Sequence, residues 1–248
     1  MGALAGVVDT GEDLGHCRDW RELEFDAAVV VTPPSTHYEI AKELLLAGKD
    51  VLVEKPMTLS VEEADDLIKT DRVLMVGHLL LYKSGVRKML DCLDMIGDVQ
   101  IINMRRAKYG TIRTDENVLW SFAPHDIAVL LKIISSPVAG VMSNSINLTG
   151  QDDDYHLHIN FKNKAQAHIH VSWLWPEDER KTVIIGSKGA LVYDENLNSL
   201  TINGQNIPFE TNDALEEELQ HFIDCVQGRL KPYTDGESGR EVVRVLDT

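Results

Sequence analysis

The sequence predicts two domains: an α/β domain built on a doubly wound parallel sheet, and an α+β domain with a large, mostly antiparallel open sheet. Short apolar runs rich in valine alternate with helical segments in the first part of the chain, and such runs suit strands buried on both faces of a parallel sheet. Strand-like segments with alternating polar and apolar residues dominate afterwards, which is typical of an antiparallel sheet with one wetter face. We place the boundary near residue 96, so that the domains are residues 1–96 and 97–248.

The first domain is predicted from its alternation of strands and helices, which indicates right-handed βαβ units and a Rossmann-like sheet. Ser60 is predicted to cap the second helix, with Glu63 as its capping-box partner. The predicted strands are Ala3–Val8, Ala27–Val31, Val51–Val53 and Val73–Val76; the predicted helices are Tyr38–Leu46, Val61–Ile68 and a connecting helix, Ser84–Ile96, that ends at Gly97.

The second domain is predicted from a run of strand-like segments that only a few helices interrupt. The predicted strands are Val99–Met104, Val141–Leu148, Tyr155–Phe161, Ala165–Trp173, Thr182–Ile185 and Ala190–Tyr193; the predicted helices are His125–Ile134, Leu215–Val226 and Glu237–Leu246.

The composition argues against several classes of function. A net charge of −16 over 248 residues is unfavourable for a nucleic-acid partner, since phosphates select basic surfaces. The longest apolar run is well short of the ~20 residues that a membrane helix needs, and no charged-then-apolar leader opens the chain. We therefore expect a cytoplasmic protein without a membrane partner. The 3 cysteines are scattered and show no metal-ligand spacing, so we predict ordinary thiols and no metal site.

A dinucleotide-binding sheet normally opens with a strand and a GxGxxG turn, whose glycines let backbone N–H groups approach the pyrophosphate. The segment Gly11–Gly15 lacks this spacing, so we expect the first strand and the phosphate loop to be missing from the sequence. Asp9, followed by Thr10, closes the first predicted strand, where an acidic side chain typically binds the adenosine ribose and repels a 2′-phosphate. This position favours NAD over NADP. The alternative is a turn or helix-capping aspartate.

Two further motifs follow predicted strands, at the edge where open α/β sheets bind ligands. The first is Thr32-Pro33-Pro34-Ser35-Thr36-His37, whose prolines stiffen the turn; alternatively it is a rigid turn with Ser35 or Thr36 as helix cap. The second is Glu54-Lys55-Pro56. A lysine at the end of a buried strand, beside a cationic nicotinamide ring, has a lowered proton affinity and can act as a general base. Taken alone, a strand-end Lys-Pro is more often a structural turn.

Together these motifs resemble the signature of the glucose–fructose oxidoreductase/inositol dehydrogenase (Gfo/Idh/MocA) family. The resemblance implies a sugar dehydrogenase in which a hydroxyl gives its proton to a base while its carbon gives a hydride to NAD. It implies Lys55 as the base and His125 as a second acid/base or substrate-orienting group. Further similar segments are Val76–His78, Val86–Met89, Trp120–Asp126, Gly186–Ala190 and Glu218–Phe222. The implied cofactor contacts are Asp9, Thr10, Thr32, Pro33, His37, Glu54 and Lys55.

One departure from the family concerns His125. Many members carry an aspartate four residues before this histidine, and here that place is held by Ser121, which removes a possible carboxylate partner. Without the resemblance, His125 is more simply explained as a residue that caps the helix it opens.

Residues 105–113 hold four basic side chains in an otherwise acidic chain. They resemble the nucleotide-sugar branch of the family, the 3-dehydrogenases of UDP-N-acetylglucosamine and its uronate, because arginine forks suit phosphate and carboxylate groups. The alternative is a solvated basic loop that pairs with an acidic surface. The predicted substrate-binding residues are Arg106, Arg113, Trp120, His125 and Asp126.

His168 and His170 lie two residues apart and should therefore share one strand face. The sequence does not identify further metal ligands, and we instead predict that this face, with Trp173 and Trp175 beside it, joins the subunits of a homodimer or homotetramer. Two alternatives to a nucleotide-sugar dehydrogenase stay open: a free-sugar or inositol dehydrogenase of the same family, and a non-catalytic relative that senses a cofactor or sugar.

Overall fold

The computed structural model describes residues 4–9, 19–110, 112–113 and 116–247. Its first sheet has three parallel strands in the order β1-β2-β3. These strands are β1 (Ala27–Val30), β2 (Asp50–Glu54) and β3 (Leu74–Gly77). Nearly every residue of β2 and β3 is buried, as expected for central strands of a parallel sheet. The predicted Rossmann-like arrangement of the first domain is therefore confirmed.

Two helices connect these strands, α1 (Pro34–Leu46) and α2 (Val61–Leu67). The predicted start of the first helix is too late, because Pro34 occupies the first helical position, where its fixed φ angle is favourable. The cap of α2 is confirmed: the Ser60 hydroxyl accepts a hydrogen bond from the Glu63 backbone N–H at 3.2 Å. The Glu63 carboxylate in turn accepts a hydrogen bond from the backbone N–H of Leu59 at 3.2 Å. Leu59 is one residue before Ser60, whose N–H is the donor that a capping box predicts.

The predicted strand Ala3–Val8 is wrong within the described residues. Residues 4–9 are exposed and, apart from a single β-bridge at Val8, form no strand. A strand needs a neighbour for its backbone hydrogen bonds, and β1, the edge strand of the described sheet, is laddered only to β2. Thr10 and the segment Gly11–Gly15 lie outside the described residues.

The connection between the sheets is shorter as a helix than predicted. Helix α3 (Ser84–Asp91) lies between two 3-10 turns, Leu79–Tyr82 and Leu93–Ile96. The chain leaves the second turn at Gly97, whose φ of 73° favours glycine. The predicted single helix Ser84–Ile96 is therefore a helix of two turns followed by a tighter turn.

The second sheet contains eight strands in the order β11-β10-β9-β8-β4-β7-β6-β5, and only the pair β4–β7 is parallel. This confirms the predicted large, mostly antiparallel sheet; the two short strands β10 and β11 were not predicted. The strands are β4 (Val99–Ala107), β5 (Val138–Asn147), β6 (Asp152–Phe161), β7 (Gln166–Ser172), β8 (Glu179–Gly186), β9 (Gly189–Asp194), β10 (Ser199–Ile202) and β11 (Gln205–Asn206).

Helix α4 (Val118–Ile133) packs on the inner face of this sheet, against β4, β6 and β7. It begins seven residues before the predicted start at His125, because Asn117 caps it by accepting a hydrogen bond from the Trp120 N–H at 3.1 Å. His125 therefore lies inside the helix, directly after Pro124, and is not a helix cap. Proline is unusual in a helix interior, since it removes one backbone hydrogen bond.

The chain ends with helices α5 (Ala214–Val226) and α6 (Gly236–Leu246). Helix α6 packs against β3, α2 and α4 and so covers the first sheet, although it follows the second sheet in sequence. Gly239 permits the close approach, because a Cβ atom there would lie 2.6 Å from a methyl carbon of Val76. The described helices include none that could cross a membrane.

Candidate active site

Lys55 lies directly after β2, at the carboxyl edge of the first sheet. Its side-chain ammonium donates a hydrogen bond to the carbonyl oxygen of Ser121, in the first turns of α4, at 2.8 Å. Burial lowers the pKa of Lys55, the Glu116 carboxylate opposes that effect, and the Arg113 guanidinium reinforces it. The geometry places a partly desolvated amine between the two sheets, where a base of reduced proton affinity is useful.

His37 holds two loops of this edge together. One ring nitrogen, Nε2, lies 2.7 Å from the carbonyl oxygen of Thr32, and the other, Nδ1, lies 2.7 Å from that of Pro56. The side chain is buried in α1 and faces away from solvent. The His37 ring therefore joins the Thr32 loop to the Pro56 loop, next to Lys55 in sequence, while Thr32 and Pro33 remain accessible.

Glu54 lies against the end of β3. Its carboxylate accepts a hydrogen bond from the backbone N–H of Lys55 at 3.1 Å, and a Cβ atom on Gly77 would lie 3.1 Å from the same carboxylate. Glu218 of α5 is buried nearby, and burial together with the charge of Glu54 raises its pKa to about 8. The sequence predicts Glu218 only as part of a helix, because no residue close to it in sequence indicates that its side chain lies near the Glu54 carboxylate.

Two histidines complete the surroundings of Lys55. His125 lies one helical turn after Ser121, and burial, followed by the charge of Lys55, holds its pKa well below the ordinary value. His78, directly after β3, is buried, and burial with nearby lysine charges lowers its pKa to about 3. Among the described residues, neither ring nitrogen of His78 nor Nδ1 of His125 has a hydrogen-bond partner. Both rings therefore have low proton affinity, and these three ring nitrogens are free of hydrogen bonds within the described residues.

Arg106 and Asp126, both predicted to bind substrate, bind each other. The Arg106 guanidinium donates to the two Asp126 oxygens at 3.0 Å each, and to Glu195 of the β9–β10 connection at 3.1 Å. Burial alone would raise the pKa of Glu195, but Arg106 and Lys83 lower it to about 2. Only 14% of the Arg106 side chain is exposed, so it is not part of a solvated basic loop. The ion pairs of Arg106 with Asp126 and Glu195 hold α4 against β4 next to His125, the residue that precedes Asp126.

The remaining predicted site residues are Arg113 and Trp120, expected to bind substrate, and Asp9, expected to bind the cofactor. Arg113 is exposed and ion-paired with Glu116, and both charges act on the pKa of Lys55. Trp120 is half-buried in the first turn of α4. Asp9 is exposed in the segment before the sheet.

A parallel sheet with a partly buried lysine at its carboxyl edge, hydrogen-bonded to a helix that carries a histidine, suits proton-transfer chemistry at the ligand-binding edge of an α/β fold. The family model for the NAD-binding Rossmann domain of GFO/IDH/MocA oxidoreductases matches residues 15–78, and the model for the C-terminal domain matches residues 86–192. The chain belongs to the GFO/IDH/MocA oxidoreductase family. The resemblance inferred from the motifs is thereby confirmed.

Several relatives are similar over most of the chain. UDP-N-acetylglucosamine 3-dehydrogenase of Acidithiobacillus ferrooxidans is 25% identical over 97% of this chain and 86% of its own length. A crystal structure of that enzyme superposes with a TM-score of 0.83, covering 90% of this chain and 77% of that one. D-xylose 1-dehydrogenase [NADP(+)] of Haloarcula marismortui is 25% identical over 95% of this chain and 76% of its own length. The NAD(+)-dependent scyllo-inositol 2-dehydrogenase of Bacillus subtilis is 24% identical over 84% and 69%.

Proposed function

We propose that this protein is a cytoplasmic dehydrogenase that oxidises a CH–OH group of a nucleotide sugar with NAD, and that Lys55 is the general base. The observation that carries the proposal is the Lys55 ammonium held at 2.8 Å from the Ser121 carbonyl, one helical turn from His125. Named relatives of the family include dehydrogenases of a nucleotide sugar, a free sugar and an inositol, which agrees with this class of enzyme.

The residues at the carboxyl edge of the first sheet fit a dinucleotide. The Glu54 carboxylate and the accessible Thr32–Pro33 loop stand beside Lys55, and Asp9 with Thr10 precedes the sheet in sequence. Carboxylates suit ribose hydroxyl groups, and an acidic residue at Asp9 disfavours a 2′-phosphate. NAD, when bound, accepts the hydride. We therefore favour NAD over NADP.

The reaction needs a proton acceptor on one side of the carbinol carbon and a hydride acceptor on the other. Once Lys55 has lost its own proton to solvent, its amine takes the hydroxyl proton as the C–H bond breaks and a carbonyl forms. His125, whose pKa is held well below the ordinary value, donates or accepts a hydrogen bond that orients the same hydroxyl. The Arg106–Asp126–Glu195 cluster acts through α4 as a positioning group.

Nucleotide-sugar specificity is proposed from Arg113 and Trp120, an exposed cation shortly before α4 and a half-buried aromatic ring in its first turn. The alternative, a free-sugar or inositol dehydrogenase, is favoured by a specific observation: Arg106 is already neutralised by Asp126 and Glu195. A non-catalytic sensor is less consistent with the desolvated Lys55.

A panel of UDP-sugars, free sugars and inositols, assayed by nicotinamide absorbance with NAD and NADP, tests the proposal. We expect turnover with NAD and a UDP-sugar. Arg113→Ala should raise KM for UDP-sugars by about 10–100-fold, through loss of a charge-assisted hydrogen bond, and leave free sugars unaffected. Turnover of free sugars only would establish the alternative, and no turnover with any substrate would contradict an enzyme. Equal use of NAD and NADP would contradict the role of Asp9.

We also propose a homodimer or homotetramer that is joined through the outer face of the second sheet. Met142 and Ile101 expose apolar area there. Trp173 does not contribute: it is buried, with its indole N–H donating to Asp153 at 2.7 Å, whereas Trp175 is half-buried on the outer face. Light scattering at micromolar concentration should give at least twice the mass of one chain; a monomer would contradict this arrangement.

A further inference from the structure

The outer face of the second sheet carries two pairs of histidines. In the antiparallel ladder of β6 and β7, His156 is opposite His170 and His158 is opposite His168. Side chains two residues apart on a strand share a face, so all four rings lie on the side away from α4. The sequence alone predicts only that His168 and His170 of β7 share a face. The pairing of β6 with β7 brings His156 and His158 to the same face.

An aspartate completes one of these pairs. Asp154 lies two residues before His156 on the same face, and its two carboxylate oxygens lie 3.2 Å from His156 Nε2 and 2.9 Å from His170 Nε2. One possible ligand atom from each of the three residues lies within 4.8 Å of the other two. Ligands of a tetrahedral zinc ion stand roughly 3.3 Å apart, given bonds of about 2.0–2.1 Å. The two separations, 3.2 and 2.9 Å, involve one carboxylate oxygen each and lie at or somewhat below that spacing.

We propose that Asp154, His156 and His170 form a binding site for one divalent transition-metal ion of the zinc class. Imidazole nitrogens with a carboxylate oxygen are ligands that zinc accepts. Three protein ligands leave the fourth position of a tetrahedron open on the outer side of the sheet, the same face that we propose joins subunits.

The ligands differ in how firmly they are held. The His170 side chain is 9% exposed and packs edge-on against Trp175, so its orientation is fixed by the fold. Among the described residues its Nδ1 has no hydrogen-bond partner, so no neighbour prevents the proton from moving to Nδ1 and freeing Nε2 for a metal. His156 stacks on His170 with ring centroids 4.2 Å apart, and must turn to aim its Nε2 at the same ion. Its side chain is 56% exposed, so this rotation meets little resistance.

Arg105 is opposite His170 across the β4–β7 ladder and brings a positive charge to the border of the site. Its guanidinium is ion-paired with Glu179 at 2.9 Å and lies over the Trp175 ring. The pairing reduces its repulsion of a dication, and the Asp154 carboxylate supplies the negative charge at the centre.

The second histidine pair provides a matched control. His158 and His168 contact each other with nitrogens 3.0 Å apart, but they lie one pair further along the strands, about 6.5–7 Å from the proposed ligands. Loss of His158 therefore removes a histidine from the same face without removing a ligand.

The test uses the full chain without a histidine tag, titrated with zinc chloride against a chromophoric chelator, with Co²⁺ absorption as the measure of coordination geometry. We expect one ion per chain in the unmodified protein. Loss of a residue that only supports a metal ligand typically weakens metal binding by about 10–100-fold. Asp154→Asn and His156→Gln each remove a ligand and should weaken zinc binding by more than this. His158→Gln should bind zinc as the unmodified protein does.

Two results would overturn the proposal. One is the absence of stoichiometric zinc binding by the unmodified protein, which would leave the cluster as hydrogen bonds between Asp154 and its two histidines. The other is equal weakening in His156→Gln and His158→Gln, which would show unspecific binding to a histidine-rich face. Circular dichroism of the variants confirms that they fold; both substituted histidines lie on the outer sheet face and not in the core of the chain, so folding should be retained.

Discussion

The Lys55 ammonium donates a hydrogen bond to the carbonyl oxygen of Ser121 at 2.8 Å, and this contact joins the edge of the first sheet to the helix that carries His125. The two residues are 66 positions apart in sequence. The hydrogen bond fixes the amine of Lys55 close to the helix of the second domain, so a substrate hydroxyl that approaches Lys55 also approaches His125. The first predictions concern this geometry.

Replacing Lys55 with methionine keeps most of the side-chain volume and removes the proton acceptor. We expect kcat to fall by about 10²–10⁴, because that is the usual contribution of a general base, while NAD binding is retained. Steady-state kinetics and a fluorescence titration with NADH measure the two effects. Lys49→Met is the matched control, since Lys49 also donates to a backbone carbonyl, that of Phe25 at 2.6 Å, but precedes β2 at the opposite edge of the sheet. Unchanged turnover in Lys55→Met would refute its role as the base.

The pH dependence of kcat/KM should report Lys55. Burial lowers the pKa of Lys55 and the Glu116 carboxylate raises it, so activity should increase as the pH rises through a value below that of an ordinary lysine. Glu116→Gln removes the opposing charge and also releases Arg113, whose charge lowers the pKa of Lys55 further. The inflection should therefore move to lower pH in this variant. A shift to higher pH would contradict the assignment.

Glu218 should make the protein less stable as the pH rises. Its folded-state pKa of about 8 lies above the ordinary value of 4.5, so the folded protein binds the proton more tightly than the unfolded chain does. The free energy of unfolding should then decrease between about pH 4.5 and 8. Glu218→Gln should remove this loss and stabilise the protein by up to about 5 kcal/mol at pH 9, with little effect at pH 4.

Urea denaturation across this pH range measures the effect. Glu216→Gln is the control, because Glu216 lies on the same helix and is exposed. A Glu218→Gln stability gain that is the same at pH 4 and pH 9 would mean that the carboxyl group does not titrate in this interval.

Arg106 should matter for stability more than for substrate affinity. Arg106→Met leaves the carboxylates of Asp126 and Glu195, 5% and 8% exposed, without their main cation. Breaking a buried pair in this way typically costs about 3–5 kcal/mol, measured as the free energy of unfolding in urea. Arg180→Met is the comparison, since Arg180 contacts the same Glu195 at 3.4 Å but is more exposed and should cost less. If Arg106→Met leaves the stability unchanged and raises KM, Arg106 would instead be a substrate-binding residue.

Much of the fold was predictable because its signals are local. The buried valine-rich strands β2 and β3, the Ser60 cap and the alternating strands of the second sheet each depend on residues close in sequence. Local signals failed at helix starts, where Pro34 and Asn117 begin helices earlier than the apolar pattern indicates. They also failed for residues 4–9, because whether an apolar run becomes a strand depends on a neighbour that the run itself does not specify.

By itself, the sequence determined the family, the two sheets and the position of Lys55, since a lysine directly after a buried strand is visible in a few consecutive residues. Only the tertiary structure decided what the charged and polar side chains contact. Arg106 forms an ion pair with Glu195, which is 89 positions away in sequence. The register of β6 on β7 brings His170 next to Asp154 and His156. The physical reason is that ion pairs and ligand sets form between strands and helices brought together by packing, and their partners leave no periodic pattern along the chain.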